Sequence, residues 1–174
     1  MRELAFILNI IGLAFCIFSS LIKGEKITKI LILVLIGNML VALGYICDGS
    51  GINGAASGIL ACVQIFINFL FQRKNKPIPI WLIGIYALSF IVVNLIVSGI
   101  SFPTVLSILA CMAFIMTILQ KNGKNYRICG IINTVIWIVY DLVTASYPAL
   151  ITHGTILAVT VVGVLIHDLK RKKA

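Results

Sequence analysis

The chain has 174 residues, of which 61% are hydrophobic and 11% charged, with a formal net charge of +9. Soluble domains carry roughly a quarter charged residues, so too little charge is left to solvate a globule of this size. Basic balance alone would suit nucleic acid, but thirteen of the fourteen Lys and Arg residues fall in four short clusters at the ends of apolar runs, which argues against nucleic acid and suits anionic lipid headgroups.

Helical spans of about 20 apolar residues are predicted near 3–22, 29–47, 54–72, 79–98, 102–120, 127–146 and 149–168. The first has Glu3 beside Arg2, and its strong positive flank, Lys23/Lys26/Lys29, follows the run. With no A-x-A-like cleavage site, that is a span entering from outside and not a signal peptide. It sets Asn9, Cys16 and Ser20 on one face. The second carries Asn38 and Tyr45 seven residues apart, also on one face, and ends at the neutral turn Asp48-Gly49-Ser50-Gly51. The third aligns Ser57, Ala61, Gln64 and Asn68 at helical spacing and ends in Arg73/Lys74/Lys76. The fourth is an apolar connector that ends at Ser98-Gly99-Ile100-Ser101. The fifth runs to the cluster Lys121/Lys124/Arg127. The sixth carries Asn133, Trp137, Tyr140 and Asp141 on one broad face. The seventh follows Ser146-Tyr147-Pro148, holds His153 in its first half, and ends at His167, Asp168 and Lys170/Arg171/Lys172/Lys173.

Basic clusters and neutral turns therefore alternate along the chain. Lys and Arg are retained in cytoplasmic loops, so the pattern predicts the N-terminus outside, the C-terminus in the cytoplasm and an odd number of spans. Trp81, Tyr126 and Tyr147 fall at expected membrane interfaces, where amphipathic rings settle. The five cysteines lie in or at the ends of apolar runs without a C-x-x-C pair, which reads as packing and gives no support to a metal site or disulfide framework.

The two ends of the chain repeat one another. Lys23, Lys26 and Lys29 align with Lys121, Lys124 and Arg127, and Asn38 and Tyr45 align with Asn133 and Tyr140. Three spans form an odd-numbered unit, so one connecting span restores the same orientation to the second unit. The expected fold is an all-α polytopic membrane protein of two parallel three-helix repeats. Residues 1–76 form the first repeat, 77–100 the linker helix, and 101–174 the second repeat with its basic tail.

Several short motifs are familiar. They are Gly12-Leu-Ala-Phe15, Ala42-Leu-Gly44-Tyr45, Ile67-Asn68-Phe69-Leu-Phe71-Gln-Arg73, Pro103-Thr-Val-Leu-Ser-Ile-Leu-Ala, and Trp137-Ile-Val-Tyr140-Asp141. Over nearly its whole length the chain resembles the YgjV-type bacterial inner-membrane proteins, a group related to the SWEET and SemiSWEET sugar transporters. The resemblance implies a multi-pass inner-membrane protein with a SWEET-like 3+1+3 arrangement. It departs from SWEETs proper in two ways: span 1 lacks a hinge proline, Pro103 instead opening span 5, and span 7 lacks an asparagine.

Polar groups avoid lipid because an unsatisfied one in hydrocarbon costs several kcal/mol, so the polar stripes should face the bundle interior. Two readings stand. The stripes are interhelical glue, or they line a midplane path between the repeats for a small polar solute, sugar-like or similar. On the second reading Asn38, Gln64, Asn68, Asn133, Trp137 and Tyr140 supply the amides, hydroxyls and aromatic faces that bind it. Asp141 is the acidic residue well inside a span, where an ionisable group is a candidate functional site. It could form a proton-linked pair with His153, or sit in a hydrated vestibule bonded to Tyr140 or Thr144. No catalytic motif appears, and no cofactor is implied. The alternative to a transporter-like carrier is a non-transporting accessory or scaffold protein.

Overall fold

The computed structural model describes residues 2–21, 27–49 and 51–166. It folds them into seven helices: α1 (Arg2–Leu21), α2 (Ile27–Asp48), α3 (Ile52–Arg73), α4 (Ile80–Ser98), α5 (Phe102–Ile118), α6 (Gly123–Val143) and α7 (Tyr147–Val164). Lys23, Lys26, Ser50, His167, Asp168 and the Lys170–Lys173 tail of the sequence reading lie outside the described residues.

Six of the seven are long and apolar enough to cross a membrane, and α5, with 17 residues, is shorter. At 1.5 Å per residue α5 is roughly 25 Å long, at the lower limit of a span. Many large side chains point outward, among them Phe6, Phe18, Leu88, Ile96, Met116 and Leu142. Such a surface is a liability in water and the solvated one in lipid. Helices are the form that lets each segment satisfy its own backbone there.

Two boundaries differ from the sequence reading for local reasons. Helix α6 starts at Gly123, because the Asn122 side chain accepts from the Asn125 N–H at 2.8 Å and caps it. Lys124 to Arg127 are therefore helical and not loop. Helix α6 then ends at Val143, before Ala145 takes a left-handed φ of 53°. Ser146 N–H bonds to Asp141 C=O at 2.9 Å, and Ala145 N–H to Leu142 C=O at 3.4 Å, the paired closure of a Schellman end. Asp141 is thereby held in the last turn of α6.

The helices α1, α2, α3 pack in that order, as do α5, α6, α7. Helix α3 meets α5, and α7 meets α1, which closes a ring of six. Helix α4 packs on α3 and α5. Because the connections are short, successive helices run in opposite directions. The bundle has a basic end, with Lys29, Arg73, Lys74, Lys76, Lys121 and Lys124, and a neutral end, with the α2–α3, α4–α5 and α6–α7 turns. Small residues bring α1 close to its neighbours: a Cβ on Gly12 would lie 3.1 Å from Gly37 C=O, and one on Gly163 3.1 Å from Ser20 C=O. Such contacts supply the close van der Waals packing that associates helices in lipid.

Candidate functional site

A cavity of about 110 Å³ lies inside the ring, between α1–α3 and α5–α7. Asn38 of α2 and Asn133 of α6 line its middle, with Ser57 of α3 and Thr134 of α6 nearby. Tyr45, Trp137 and His153 line its neutral end. Ser20, Tyr126, Arg127 and Thr160 line its basic end.

The neutral end is built around one carboxylate. Asp141 is 1% exposed. The Tyr45 hydroxyl donates to its Oδ1, and His153 Nδ1 lies 2.6 Å from its Oδ2. With both oxygens engaged, a buried carboxyl group ties α2, α6 and α7 together, and charge-assisted bonds of this kind are the strong ones. The aromatic rings pack around it. Trp137 stacks on the His153 ring with centroids 5.9 Å apart and an interplanar angle of 16°. Tyr140 meets Trp137 edge-on at 5.2 Å and Tyr45 at 6.4 Å. The Gly54 N–H of α3 donates to the Tyr140 hydroxyl at 3.1 Å. Gly54 is required there, because a Cβ would lie 2.8 Å from the Tyr45 ring. Asp141 bonds neither Tyr140 nor Thr144 through its side chain; the Thr144 hydroxyl donates instead to Tyr140 C=O at 3.0 Å.

The basic end holds Arg127, a residue that the charge pattern groups with loop lysines. It is 3% exposed and faces the cavity. Its placement follows from the early start of α6, which turns position 127 inward one helical turn after Gly123. Tyr126, expected at the membrane interface, also lines the cavity, whereas Trp81 and Tyr147 are exposed. Ser20 of α1 and Thr160 of α7 share a hydrogen bond at 3.2 Å and join the ring there.

Gln64 and Asn68 are not part of the cavity wall. They face α4: Gln64 Nε2 approaches Tyr86 C=O at 3.5 Å, and the Tyr86 hydroxyl donates to Asn68 Oδ1 at 3.2 Å. They belong to a polar ladder that continues toward the neutral end. Asn94 of α4 donates from Nδ2 to Ser57 Oγ at 3.0 Å and to Phe90 C=O at 2.8 Å, while Ser107 of α5 donates to Asn94 Oδ1. Above it, Ser98 donates to Asn53 Oδ1 at 2.7 Å, and Asn53 Nδ2 donates to Thr104 at 3.2 Å. Asn94 and Tyr86 were not singled out from sequence. The signal was there: they are eight residues apart, hence on one face of an otherwise apolar helix.

Of the candidate residues, then, Asn38, Asn133 and Trp137 meet at one cavity with His153. Tyr140 and Asp141 stand behind its neutral end. Three buried polar atoms have no hydrogen-bond partner among the described residues: Gln64 Oε1, Asn68 Nδ2 and Asn133 Oδ1. Among the described residues no group of three or more His, Cys, Asp and Glu side chains could hold a metal ion.

The family model for Imp-YgjV, described as a bacterial inner membrane protein, matches residues 3–171. No curated protein and no solved structure matches the chain. A match over nearly the full length, on seven apolar helices with lipid-suited outer faces, places this multi-pass chain in the Imp-YgjV family of bacterial inner membrane proteins.

Proposed function

We propose that the protein is a carrier for a small polar solute, which passes between two three-helix units through the cavity lined by Asn38, Asn133 and Trp137. The observation that carries this reading is the cavity itself. It extends from Arg127 to His153 between the units, and its mid-level amides include an acceptor, Asn133 Oδ1, with no partner among the described residues. The repeat and a kinship with SWEETs are part of the reading. A two-fold relation between α1–α3 and α5–α7 would pair the α3/α5 contact with the α7/α1 contact, and both occur. It would also bring Tyr45 and Tyr140 together near the axis, and their rings lie 6.4 Å apart.

The test is water access. In a cysteine-free background, Asn38→Cys and Asn133→Cys should react with a small charged thiol reagent in membranes. Failure of both to react would favour the accessory or scaffold reading. That second reading has its own observation, the α3–α4 ladder that uses Gln64 and Asn68 as glue. Equivalence of the repeats predicts that Asn38→Leu and Asn133→Leu impair flux to a similar degree.

Orientation and proton linkage complete the proposal. The basic end faces the cytoplasm, so Ser50→Cys should react with an impermeant maleimide in intact cells and Lys124→Cys should not; the reverse pattern would overturn it. The Asp141–His153 pair is the proton-handling element, because its carboxyl oxygen and ring nitrogen lie 2.6 Å apart beside the cavity and can share a proton. Solute flux should then depend on pH in the wild type. It should lose that dependence in His153→Gln.

A further inference from the structure

The three turns at the neutral end of the bundle are not alike. The α2–α3 turn begins at Asp48, and the α6–α7 turn holds Thr144 and Ser146 and leads into the exposed Tyr147 ring. The α4–α5 turn, Gly99-Ile100-Ser101, lies inside a stretch, residues 77–120, that contains no Asp, Glu, Lys, Arg or His. Turns that face water are polar. Here the large exposed side chains are apolar: Ile100 is 91% exposed, and Ile96, four residues earlier, is 78% exposed.

The hydroxyls of this turn point the other way. Ser98 donates to Asn53 Oδ1 of α3 at 2.7 Å. The Ser101 and Thr104 hydroxyls share a bond at 2.7 Å, and Ser101 Oγ caps α5 by accepting from Thr104 N–H at 3.3 Å. Backbone groups are engaged as well. Gly99, with a left-handed φ of 62°, donates its N–H to Leu95 C=O at 2.8 Å, and Val105 N–H donates to Ser101 C=O at 3.1 Å. Polar groups inside and apolar groups outside invert a water-facing turn and meet the demand of lipid, where polar groups must be satisfied within the protein.

The apolar surface of the turn continues that of its two helices. Leu88, Val92, Ile96 and Ile100 follow at four-residue spacing along α4 and over its end, and Phe102 and Val105 carry the strip onto α5. All six are exposed, large and apolar. Helices that associate in lipid do so through small or polar residues, and these six side chains offer neither to a second copy of the chain. The height agrees. Trp81, exposed on α4, has the amphipathic ring that settles at a membrane interface. From Trp81 to Ser98 the helix rises roughly 26 Å, at about 1.5 Å per residue, and the hydrocarbon core is about 30 Å thick. With Trp81 at one edge of that layer, the turn only reaches the other.

We infer that the α4–α5 turn is a lipid anchor, with Ile96, Ile100 and Phe102 set among the acyl chains of the leaflet at the neutral end. Water then reaches the neutral end past the α2–α3 and α6–α7 turns and not past this one. The inference is independent of the carrier reading and is tested without a solute. In a cysteine-free background, full-length Ile100→Cys and Ser50→Cys are labelled with a nitroxide and reconstituted into nanodiscs of phosphatidylethanolamine and phosphatidylglycerol, where both faces meet the buffer. Collisions with oxygen, which partitions into lipid, are compared with collisions with a water-soluble nickel chelate. Oxygen should dominate for Ile100→Cys and the chelate for Ser50→Cys. Without the nitroxide, Ile100→Cys should react with a charged maleimide at least about tenfold more slowly than Ser50→Cys, because the thiolate is the reactive form and apolar surroundings suppress it. Phe102→Cys carries the same expectation and is the reporter if Ile100→Cys does not fold. Chelate collisions as frequent for Ile100→Cys as for Ser50→Cys would put the turn in water and overturn the inference. Few collisions with either reagent would put protein against the turn, a second copy or another chain, and would overturn it too.

Discussion

The seam between α3, α4 and α5 and the space between α2, α6 and α7 use the same kinds of polar residue to different ends. Along the first, Asn53, Ser57, Gln64 and Asn68 of α3 each meet a partner on α4 or α5. The bonds are spread over the height of the helix and the seam is closely packed, although Gln64 Oε1 and Asn68 Nδ2 have no partner among the described residues. Along the second, Asn38 bonds its own helix and Asn133 Oδ1 bonds nothing among the described residues. That side is held at its two ends, by Asp141 with Tyr45 and His153 and by Ser20 with Thr160. Polar groups in a membrane bundle are thus of two kinds, those that close a seam and those that are left to a cavity. Ser57 belongs to both, since it bonds Asn94 and also lines the cavity.

A distributed seam and a seam fastened at its ends should respond differently to single changes. The largest loss is expected at Asp141. Asp141→Leu strips partners from the Tyr45 hydroxyl and from His153 Nδ1 at once, and bonds to a charged group are worth about 1.5–3 kcal/mol each. The expected destabilisation is about 3 kcal/mol, read from unfolding in mixed micelles. Tyr45→Phe, which removes one donor and leaves His153 in place, should cost about half as much. A next, smaller loss is expected at Asn94. Asn94→Leu removes its bonds to Ser57 and Ser107, but Asn53–Ser98 and Asn68–Tyr86 remain on either side. Interhelical bonds in membranes average about 0.6 kcal/mol and reach about 1.7, so about 1–2 kcal/mol is expected. If Asn94→Leu proves costlier than Asp141→Leu, the distinction between a distributed and an end-fastened seam fails.

The seven helices and their alternation were legible because apolar length and charge placement are set by the lipid itself. The direction in which a polar stripe points was less so. Helical spacing puts Gln64 and Asn68 on one face, but which neighbour that face meets depends on where α4 docks, and α4 reads as a bare connector. Asn38 and Asn133 were legible as polar positions inside apolar spans, which turn away from lipid, and both line the cavity. Arg127 was hidden by its company: beside Lys121 and Lys124 it reads as a loop charge, and only the cap at Asn122 reveals that the helix has already begun. The end of α6 was hidden in a similar way, since Ala145 adopts the left-handed turn that a glycine would have announced.

The smallest effect on stability is expected at Asn133, and its smallness is the informative part. Its Oδ1 is buried without a partner among the described residues, so replacing the amide removes a desolvation penalty and no interhelical bond to that oxygen. A buried unsatisfied polar group carries a penalty of about 1–3 kcal/mol. Asn133→Leu therefore relieves part of that penalty, against the strain of a differently shaped side chain at the cavity wall. The two terms oppose, and the net change should lie within about 0.5 kcal/mol of zero, as for substitutions away from bonding networks. Gln64→Leu is the control from the closely packed seam. Its Oε1 is equally without a partner, but its Nε2 faces Tyr86 C=O, so the change also strips that contact and should destabilise by up to about 1 kcal/mol. Measured side by side in the same detergent, Asn133→Leu should be the milder of the two for stability and the more damaging for solute binding. A loss of stability at Asn133 as large as at Asn94 would mean that the amide closes a seam of its own, and the cavity side would then be of the same kind as the closely packed one.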